Sequence, residues 1–377
     1  MEEWKECKLK DICDYGKDRV EVSSLDNSNY ISTENMLPNR AGITIATTLP
    51  TGEYTPSFEI DDTLVSNIRP YFKKIWKATF SGGCSADVLV FKAKENVSKE
   101  YFYYVLADDE FFKYSMTTSK GTKMPRGDKT SIMNYPVKLP PLPTQQKIAA
   151  ILSSLDDKIE LNNKINTNLE QQAGALFKNW LVDFEPFGGK MPEGWKVGKL
   201  SDIAEITMGQ SPDGKSYNED GIGTVFYQGR AEFGTRFPTR RLFTTEPKRI
   251  AKKFDTLMSV RAPVGDTNIA NEDCCIGRGL AAIHSKDNHQ SFVHYTVLSL
   301  RSQLDVFNGE GTVFGCINRD ALNNMEVVIP AKDDLDKFEK IVASLDADIF
   351  NRSEENDRLK IIRDTLLPKL MNGEIEV

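Results

Sequence analysis

The sequence predicts an α+β protein built as a tandem duplication, in which each half is a globular domain followed by one long helix. Matching segments recur about 190 residues apart along the 377-residue chain. Each half mixes short strand-like runs with helical stretches, and each half closes with a heptad-like helix. We expect the two long helices to pack as an antiparallel coiled coil, with the halves related by a pseudo-two-fold axis.

The duplication extends over most of the chain. The segment "WKECKLKDI" at 4–12 matches "WKVGKLSDI" at 195–203, and "DTLVSNIRP" at 62–70 matches "DTLMSVRAP" at 255–263. Offsets that drift between 190 and 193 residues are what small loop insertions and deletions produce. The matches predict four segments: a first domain over 1–143, a central helix over 144–185, a second domain over 186–332 and a final helix over 333–377.

The globular domains are predicted to mix strands and helices without regular alternation. Apolar runs such as "DVLVFKA" and "MEVVIP" are typical of strands, and Gly/Pro turns such as "APVGD" separate them. Helical stretches lie at 99–113 and 290–307. Because strands and helices do not alternate along the chain, we favour α+β over a doubly wound sheet.

Apolar residues recur along both long helices with heptad-like spacing, and one position in each stripe is polar, Asn162 and Arg352. A long helix with a single apolar stripe needs a partner in water, and its own copy is available. Polar seam residues are a device that fixes register. The predicted seam consists of Ile148, Ile151, Leu155, Ile159, Leu169, Leu176, Ile341, Leu345, Ile349, Leu359, Ile362 and Leu366.

Composition narrows the class of protein. Mean hydropathy is −0.42, and no run of about 18 apolar residues exists that would predict a membrane span. The charged start "MEEWKECKLKD" argues against a signal peptide. Six cysteines without a CxxC pair predict a reducing cytoplasm rather than a disulfide framework. His284, His289 and His294 are five residues apart, which does not place them on one helix face, so we predict no metal site.

The net charge of −7 hides an uneven distribution. Residues 228–253 carry a net charge of +6, residues 68–80 carry +4 and residues 119–129 carry +3, whereas 332–377 carry −4. Aromatic residues interleave the basic clusters. Two domains related by a two-fold axis and carrying basic clusters match a two-stranded polyanion, and duplex DNA is such a target.

Enzymatic interpretations find weaker support. The segment "GQSPDGKS" at 209–216 fits the Walker A spacing, but "YNEDGIGTVFYQ" follows it and predicts a loop and a strand rather than the required helix. No methyltransferase signature is present, neither an Asn/Asp-Pro-Pro-aromatic motif nor a Gly-rich cofactor loop. A magnesium-dependent nuclease could use Asp213, Glu246 and Lys248, but that pattern is common by chance. We therefore predict a protein without catalytic residues of its own.

Several long segments in order resemble the specificity subunits of Type I restriction–modification systems: "LPPLPTQQKIAAILSSLDDKIELNNKIN", "LFKNWLVDFEPF", "KMPEGWKVGKLSDIAEITMGQSP", "IGRGLAAI" and "LLPKLMNGEIEV". The resemblance covers nearly the whole chain. It implies two target-recognition domains that each read one half of a bipartite, asymmetric site in double-stranded DNA. It also implies that the helix pair sets an unread spacer and docks two methyltransferase subunits, with restriction/translocase subunits joining the complex.

The resemblance implies no cofactor on this chain, with S-adenosylmethionine, ATP and Mg²⁺ carried by the partner subunits. A coiled-coil adaptor without DNA contact, and a specificity chain whose system has lost its partners, stay open as alternatives. DNA contacts are expected from Lys and Arg on loops. The candidates are Arg69, Lys73, Lys74, Lys123, Arg126 and Lys129 in the first domain, and Arg230, Arg236, Arg240, Arg241 and Arg319 in the second.

Overall fold

The structure is a computed structural model that describes residues 4–121, 123–309 and 315–377. The chain divides into two compact units. Unit 1 comprises 1–161 and 355–377, and unit 2 comprises 162–354. Each unit holds one globular domain and one half of each long helix, and the units are described separately below.

The first domain is the part of unit 1 that precedes the long helix α5. Its elements and α5 are, in order, β1 (Lys5–Lys8), α1 (Leu9–Ile12), β2 (Cys13–Tyr15), β3 (Arg19–Glu21), β4 (Tyr30–Ile31), β5 (Tyr54–Phe58), β6 (Thr63–Ser66), β7 (Ile75–Lys77), β8 (Gly82–Cys84), β9 (Val88–Ala93), α2 (Lys99–Ala107), α3 (Asp109–Thr117), α4 (Lys129–Ile132), β10 (Pro136–Leu139) and α5 (Leu142–Leu181).

The second domain is the part of unit 2 between α5 and the final helix α10. Its elements and α10 are β11 (Lys196–Lys199), α6 (Leu200–Ile203), β12 (Ala204–Met208), β13 (Tyr217–Asn218), β14 (Thr224–Tyr227), β15 (Phe243–Thr244), β16 (Ile250–Ala251), β17 (Thr256–Ser259), β18 (Thr267–Ile269), β19 (Cys274–Ile276), β20 (Leu280–Ser285), α7 (Gln290–Ser299), α8 (Arg301–Asp305), α9 (Arg319–Asn323), β21 (Glu326–Ile329) and α10 (Lys332–Met371).

The two domains repeat the same sheet. In the first domain four antiparallel strands lie in the order β2-β9-β6-β7, and in the second they lie in the equivalent order β12-β20-β17-β18. The ribbon of β1 and β10 recurs as β11 and β21. A further sheet differs: its order is β3-β5-β8-β4 in the first domain and β13-β15-β14-β19-β16 in the second.

Burial explains why the shared sheet forms from these residues. Strands β6, "TLVS", and β17, "TLMS", are buried at every position, as expected for central strands covered on both faces. Helix α2 begins after Ser98, whose hydroxyl accepts a hydrogen bond from the Tyr101 amide at 3.3 Å. Pro140 and Pro141 separate strand β10 from helix α5.

Both long helices extend over 40 residues, and their halves run antiparallel within each unit. In unit 1, Nζ of Lys158 lies 3.5 Å from Glu355, and Nη1 of Arg363 lies 2.7 Å from Asp156. The residue number therefore rises along one helix as it falls along the other.

Unit 2 shows the same antiparallel arrangement. Nη1 of Arg352 donates to Oδ1 of Asn162 at 3.4 Å, and the rings of Phe177 and Phe338 lie 6.0 Å apart. The predicted α+β fold, with a tandem repeat and antiparallel helices, is confirmed.

The buried stripe of each helix follows positions that are alternately three and four residues apart. On α5 it includes Leu152 rather than Ile151, and on α10 it includes Val342 rather than Ile341. The predicted seam positions Ile151, Ile341 and Ile362 are 38%, 43% and 45% exposed and are corrected here. Arg363, not Ile362, is the buried residue at its turn. At Ile151 and Ile341 the error arises because two apolar residues stand side by side and only one faces the partner. At Ile362 it arises because the buried position holds a polar residue, which an apolar pattern does not select.

The other predicted seam residues are at least half-buried. Ile148, Ile159 and Ile349 are buried, and the rest of the set are half-buried: Leu155, Leu169, Leu176, Leu345, Leu359 and Leu366. The core of each domain continues into its helix halves. In unit 1, Phe91 and Phe102 share a cluster with Ile148 and Leu367, and in unit 2, Trp195 shares one with Phe177 and Phe338. The helices are thus part of both domain cores.

Candidate DNA interface

Two loops predicted to contact DNA meet in the first domain. The loop between β6 and β7 (67–74) and the loop before α4 (118–121 and 123–128) are joined by a bridge between Ile68 and Arg126. The Arg69 amide donates to the Pro125 carbonyl at 2.8 Å, and the Gly127 amide donates to Asn67 at 3.2 Å. This joined pair, here named the first loop pair, brings together Arg69, Lys73, Lys74, Lys123 and Arg126.

The first loop pair presents a short turn with an unusual backbone. Arg69 and Lys73 adopt the left-handed conformation at φ 51° and 50°, on either side of the 3₁₀ turn Pro70–Phe72. Left-handed residues other than glycine are costly and cluster at functional sites. Between them Tyr71 and Phe72 are exposed, and sequence reasoning missed both. The signal available was two aromatic residues between basic ones in "RPYFKK".

Carboxylates partner some of these cations and not others. Lys73 lies 2.8 Å from Asp109, and Arg126 lies 3.2 Å from Asp87. Nζ of Lys74 donates to the Thr33 carbonyl at 2.6 Å, and burial lowers the pKa of Lys74. Among the residues that the structure describes, Arg69, Lys123 and Lys129 form no ion pair, so a phosphate would displace no carboxylate from them.

The second-domain cluster lies elsewhere in its domain, between β14 and β15. Arg230 pairs with Asp266, and Arg240 pairs with Glu272. Arg241 lies 2.8 Å from Glu232. All three arginines are exposed. Exposed ion pairs contribute at most about 1 kcal/mol, so a phosphate can displace the carboxylates that pair with Arg230 and Arg240. The carboxylate that pairs with Arg241 is buried, because the Glu232 side chain is only 3% exposed.

Arg236 is different, and its predicted role is corrected. Its side chain is only 6% exposed. Nη1 donates to Glu170 at 2.9 Å, and Nη2 pairs with Asp346. Burial opposes its charge, but Asp346, Tyr295 and Glu170 outweigh that effect and raise the pKa of Arg236. Arg236 is a buried residue that ties the second domain to its helices, and a phosphate has no access to it.

One predicted cation recurs at the same place in both domains. Lys129 is the first residue of α4, Arg319 is the first residue of α9, and the two lie 190 positions apart. Both are exposed, and neither forms an ion pair with any residue of the described ranges. The loop before α9 includes 310–314, which lie outside the described residues. In the same neighbourhood the exposed Arg261 bridges Cys316, so it occupies the position of Ile68.

The Walker-like segment does not form a phosphate loop. After Gly209 the chain makes a three-residue 3₁₀ turn, Gly214–Ser216, and then enters strand β13.

No group of three His, Cys, Asp or Glu side chains that could hold a metal ion occurs in the described part of the chain. Within the same ranges, no helix is long and apolar enough to cross a membrane.

Comparison with known proteins places this architecture in a family. A family model for the Type I restriction modification DNA specificity domain matches residues 1–171 and 192–360. Its two matches cover the two halves of the duplication. The chain belongs to this family.

Individual proteins that are similar to this chain belong to the same family. The chain is 32% identical over 301 residues to a putative type I restriction enzyme MjaX specificity subunit from Methanocaldococcus jannaschii, covering 75% of this chain and 70% of the relative. It is 26% identical to the type I restriction enzyme HindI specificity subunit from Haemophilus influenzae over the full length of both. A crystal structure of a Type-I restriction-modification system S subunit from M. genitalium has the same fold, with a TM-score of 0.61 at 16% identity and coverage of 98% and 96%.

Proposed function

We propose that this chain is the DNA specificity subunit of a Type I restriction–modification complex and that each domain reads one half of a bipartite site. The observation that carries the proposal is the complete duplication of a domain with its helix halves, in a chain whose family model describes a DNA specificity domain. Two reading domains on one chain bind two half-sites, as two subunits of a dimer do on a palindrome.

The recognised site is asymmetric, because the two domains differ where they would meet DNA. The loop between β6 and β7 carries Arg69 and Lys73, whereas the loop between β17 and β18 has the sequence "VRAPVGD" over 260–266. The sheets that differ in strand order carry further loops with unrelated sequences. Different side chains on equivalent loops read different bases.

The helix pair sets the length of the unread spacer and docks two methyltransferase subunits. This proposal is supported by the contribution of one half of each helix to each unit, where the helix halves share a buried core with the domain. The chain has no catalytic role. S-adenosylmethionine, ATP and Mg²⁺ belong to the methyltransferase and restriction/translocase subunits, and the complex works in the cytoplasm.

The test is to assemble the chain with its methyltransferase subunits and to map the modified bases on genomic DNA. We expect two different half-sites separated by a fixed number of unread base pairs. The chain alone should bind duplex DNA with a strong dependence on salt concentration. A chain that assembles with methyltransferase subunits but shows no salt-dependent DNA binding would be a coiled-coil adaptor, and the proposal would fail.

A further inference from the structure

A buried tyrosine in each domain donates a hydrogen bond to an aspartate on a long helix. In unit 1 the Tyr104 hydroxyl, on α2, donates to Asp156 of α5 at 2.8 Å. In unit 2 the Tyr295 hydroxyl, on α7, donates to Asp346 of α10 at 3.1 Å. The tyrosines lie 191 positions apart and the aspartates 190, so the two bonds are equivalent in the repeat. Each bond joins a domain to its helices.

Both hydroxyls are held in the donor state. Tyr104 and Tyr295 are each 3% exposed. Burial, and then the neighbouring aspartate, raises the pKa of Tyr104. Burial also raises the pKa of Tyr295, although Arg236 opposes the shift. Both tyrosines therefore stay protonated across the physiological range.

Each aspartate also pairs with a buried arginine. Arg363, whose side chain is 10% exposed, lies 2.7 Å from Asp156, and Arg236 pairs with Asp346. A buried ion pair adds little net stability, because desolvation offsets the attraction. It does penalise every arrangement in which one charge loses its partner. The aspartate side chain is therefore held in one position on the helix. The hydrogen bond from the tyrosine orients the domain relative to that side chain.

Apolar contacts alone would not define the orientation of a domain relative to its helices. The Phe and Leu side chains that join domain and helices attract without directional preference. A hydrogen bond weakens steeply when its angle departs from linearity. The orientation of each domain on its helix halves is thus sensitive to the hydrogen bonds between them, and the tyrosine–aspartate bond occurs in both units.

We propose that the Tyr104–Asp156 and Tyr295–Asp346 hydrogen bonds orient the recognition domains on the helix pair and thereby restrict the spacer length that the subunit accepts. The inference rests on the proposed function and deepens it. These four residues contact no DNA. They are positioning residues, and they affect which spacing between half-sites is modified rather than which bases are read.

The two aspartates differ in the number of domain residues that they contact. Asp346 holds the second domain through two residues of that domain, Tyr295 and Arg236. Asp156 holds the first domain through Tyr104 alone, because Arg363 belongs to helix α10. Arg40 of the first domain lies 3.8 Å from Asp364, beyond hydrogen-bond distance. Loss of the tyrosine hydroxyl should therefore loosen the first domain more than the second.

The experiment compares Tyr104→Phe and Tyr295→Phe with two matched controls. The Tyr101 hydroxyl donates to the Lys138 carbonyl at 3.2 Å, and the Tyr227 hydroxyl donates to Oδ1 of Asn271 at 3.0 Å. Both control bonds lie within one domain, so Tyr101→Phe and Tyr227→Phe remove the same atom without touching the helices. Each variant is assembled with methyltransferase subunits, and modified sites are mapped and sorted by spacer length.

We expect Tyr104→Phe to raise the share of modified sites with a spacer one base pair too long or too short by about tenfold. Tyr295→Phe should raise it by less than about threefold, and the controls should leave it unchanged. Half-site sequences should stay the same in all four. If Tyr104→Phe assembles poorly, competition between duplexes of two spacer lengths on the assembled fraction gives the same ratio.

Two outcomes are decisive against the inference. It is overturned if the wild type modifies a split site with a fixed spacer and Tyr104→Phe keeps that spacer as strictly as wild type. It is also overturned if Tyr101→Phe relaxes the spacer as much as Tyr104→Phe does. A wild-type complex that modifies no split site overturns the proposed function first, so the two failures are distinguishable.

Discussion

Units 1 and 2 cap equivalent domain helices with different side chains from the long helices. In unit 1, Oε1 of Gln145 on α5 accepts a hydrogen bond from the Ser98 amide at 2.9 Å, just before α2. In unit 2 the Glu339 carboxylate on α10 accepts from the Ser291 and Phe292 amides at 3.0 and 2.9 Å, at the start of α7. A neutral amide and a carboxylate thus perform the same task.

The comparison extends to the arginines. The second domain contributes Arg236 to its junction with the helices, whereas in unit 1 the helix itself contributes Arg363. The sheet order and the tyrosine–aspartate bond are common to both units. The difference shows that the apolar sequence pattern specifies the fold that both units share. Most of the polar contacts between a domain and its helices, by contrast, occur in one unit only. The predictions below test that division.

Arg236→Met should produce the largest effect. It leaves Asp346 and Glu170 without their buried partner, and breaking a buried ion pair in this way costs about 3–5 kcal/mol. Hydrogen exchange should show loss of protection in the second domain and not in the first. Arg230→Met, which removes an exposed arginine whose partner Asp266 also pairs with Arg301, is the control and should cost at most about 1 kcal/mol. Equal effects of the two variants would contradict the assignment of Arg236 to the core.

Leu152→Ala and Ile151→Ala test the seam at adjacent positions. Leu152 is fully buried and Ile151 is 38% exposed. Leu152→Ala should cost about 2–5 kcal/mol in the free energy of unfolding, as truncation of buried leucine does. Ile151→Ala should cost clearly less. Denaturant unfolding measures both, and the equivalent pair Val342→Ala and Ile341→Ala should show the same order in unit 2.

These corrections show how far the sequence could predict the molecule. The duplication follows from segments that match about 190 residues apart, and the fold class follows from strand-like and helical stretches that do not alternate regularly. The heptad stripes follow from apolar periodicity, which needs only local sequence. The register of the stripe fails at Ile151 because Leu152 beside it is equally apolar. The prediction that Arg236 contacts DNA is wrong for another reason. Its partners Glu170 and Asp346 lie 66 and 110 residues away in the sequence, and a local charge count cannot include them.

Lys129→Ala and Arg319→Ala test the one predicted cation that both domains share. If each contacts a phosphate, each variant should weaken duplex binding about equally for all sequences and reduce the salt slope of log K by about 0.9. Salt titrations of duplex binding measure the slope. Lys113→Ala, at an exposed lysine on α3 paired with Glu110, is the control. If the salt slope is unchanged in both test variants, the residues at this position do not contact DNA phosphates.

The smallest expected effect concerns pH and only unit 2. Nε2 of His289 lies 2.7 Å from Asp336 on α10, while the equivalent residue in unit 1 is Ser98. Burial alone would lower the pKa of His289, but Asp336 and Asp287 outweigh it and raise that pKa above 6.5. The stabilisation is therefore complete below pH 6.5 and is lost as the pH rises through the raised pKa.

His289→Asn should thus cost more at pH 5.5 than at pH 8.5, by below about 1 kcal/mol, while the cost of removing the buried ring itself is the same at both pH values. The difference between wild type and variant is the quantity to compare, because buried His294 titrates in the opposite sense: burial lowers its pKa. Thermal melting at both pH values measures the difference. A larger cost at the higher pH would show that the His289–Asp336 pair does not act as described.

The central claim is that each unit reads one half-site independently on a shared helix pair. Exchange of residues 1–141, which end just before α5, for the first domain of another family member with tyrosine at position 104 tests it most directly. Methylation mapping of the hybrid complex should show one half-site replaced, with the other half-site and the spacer unchanged. A hybrid that changes both half-sites would contradict the account.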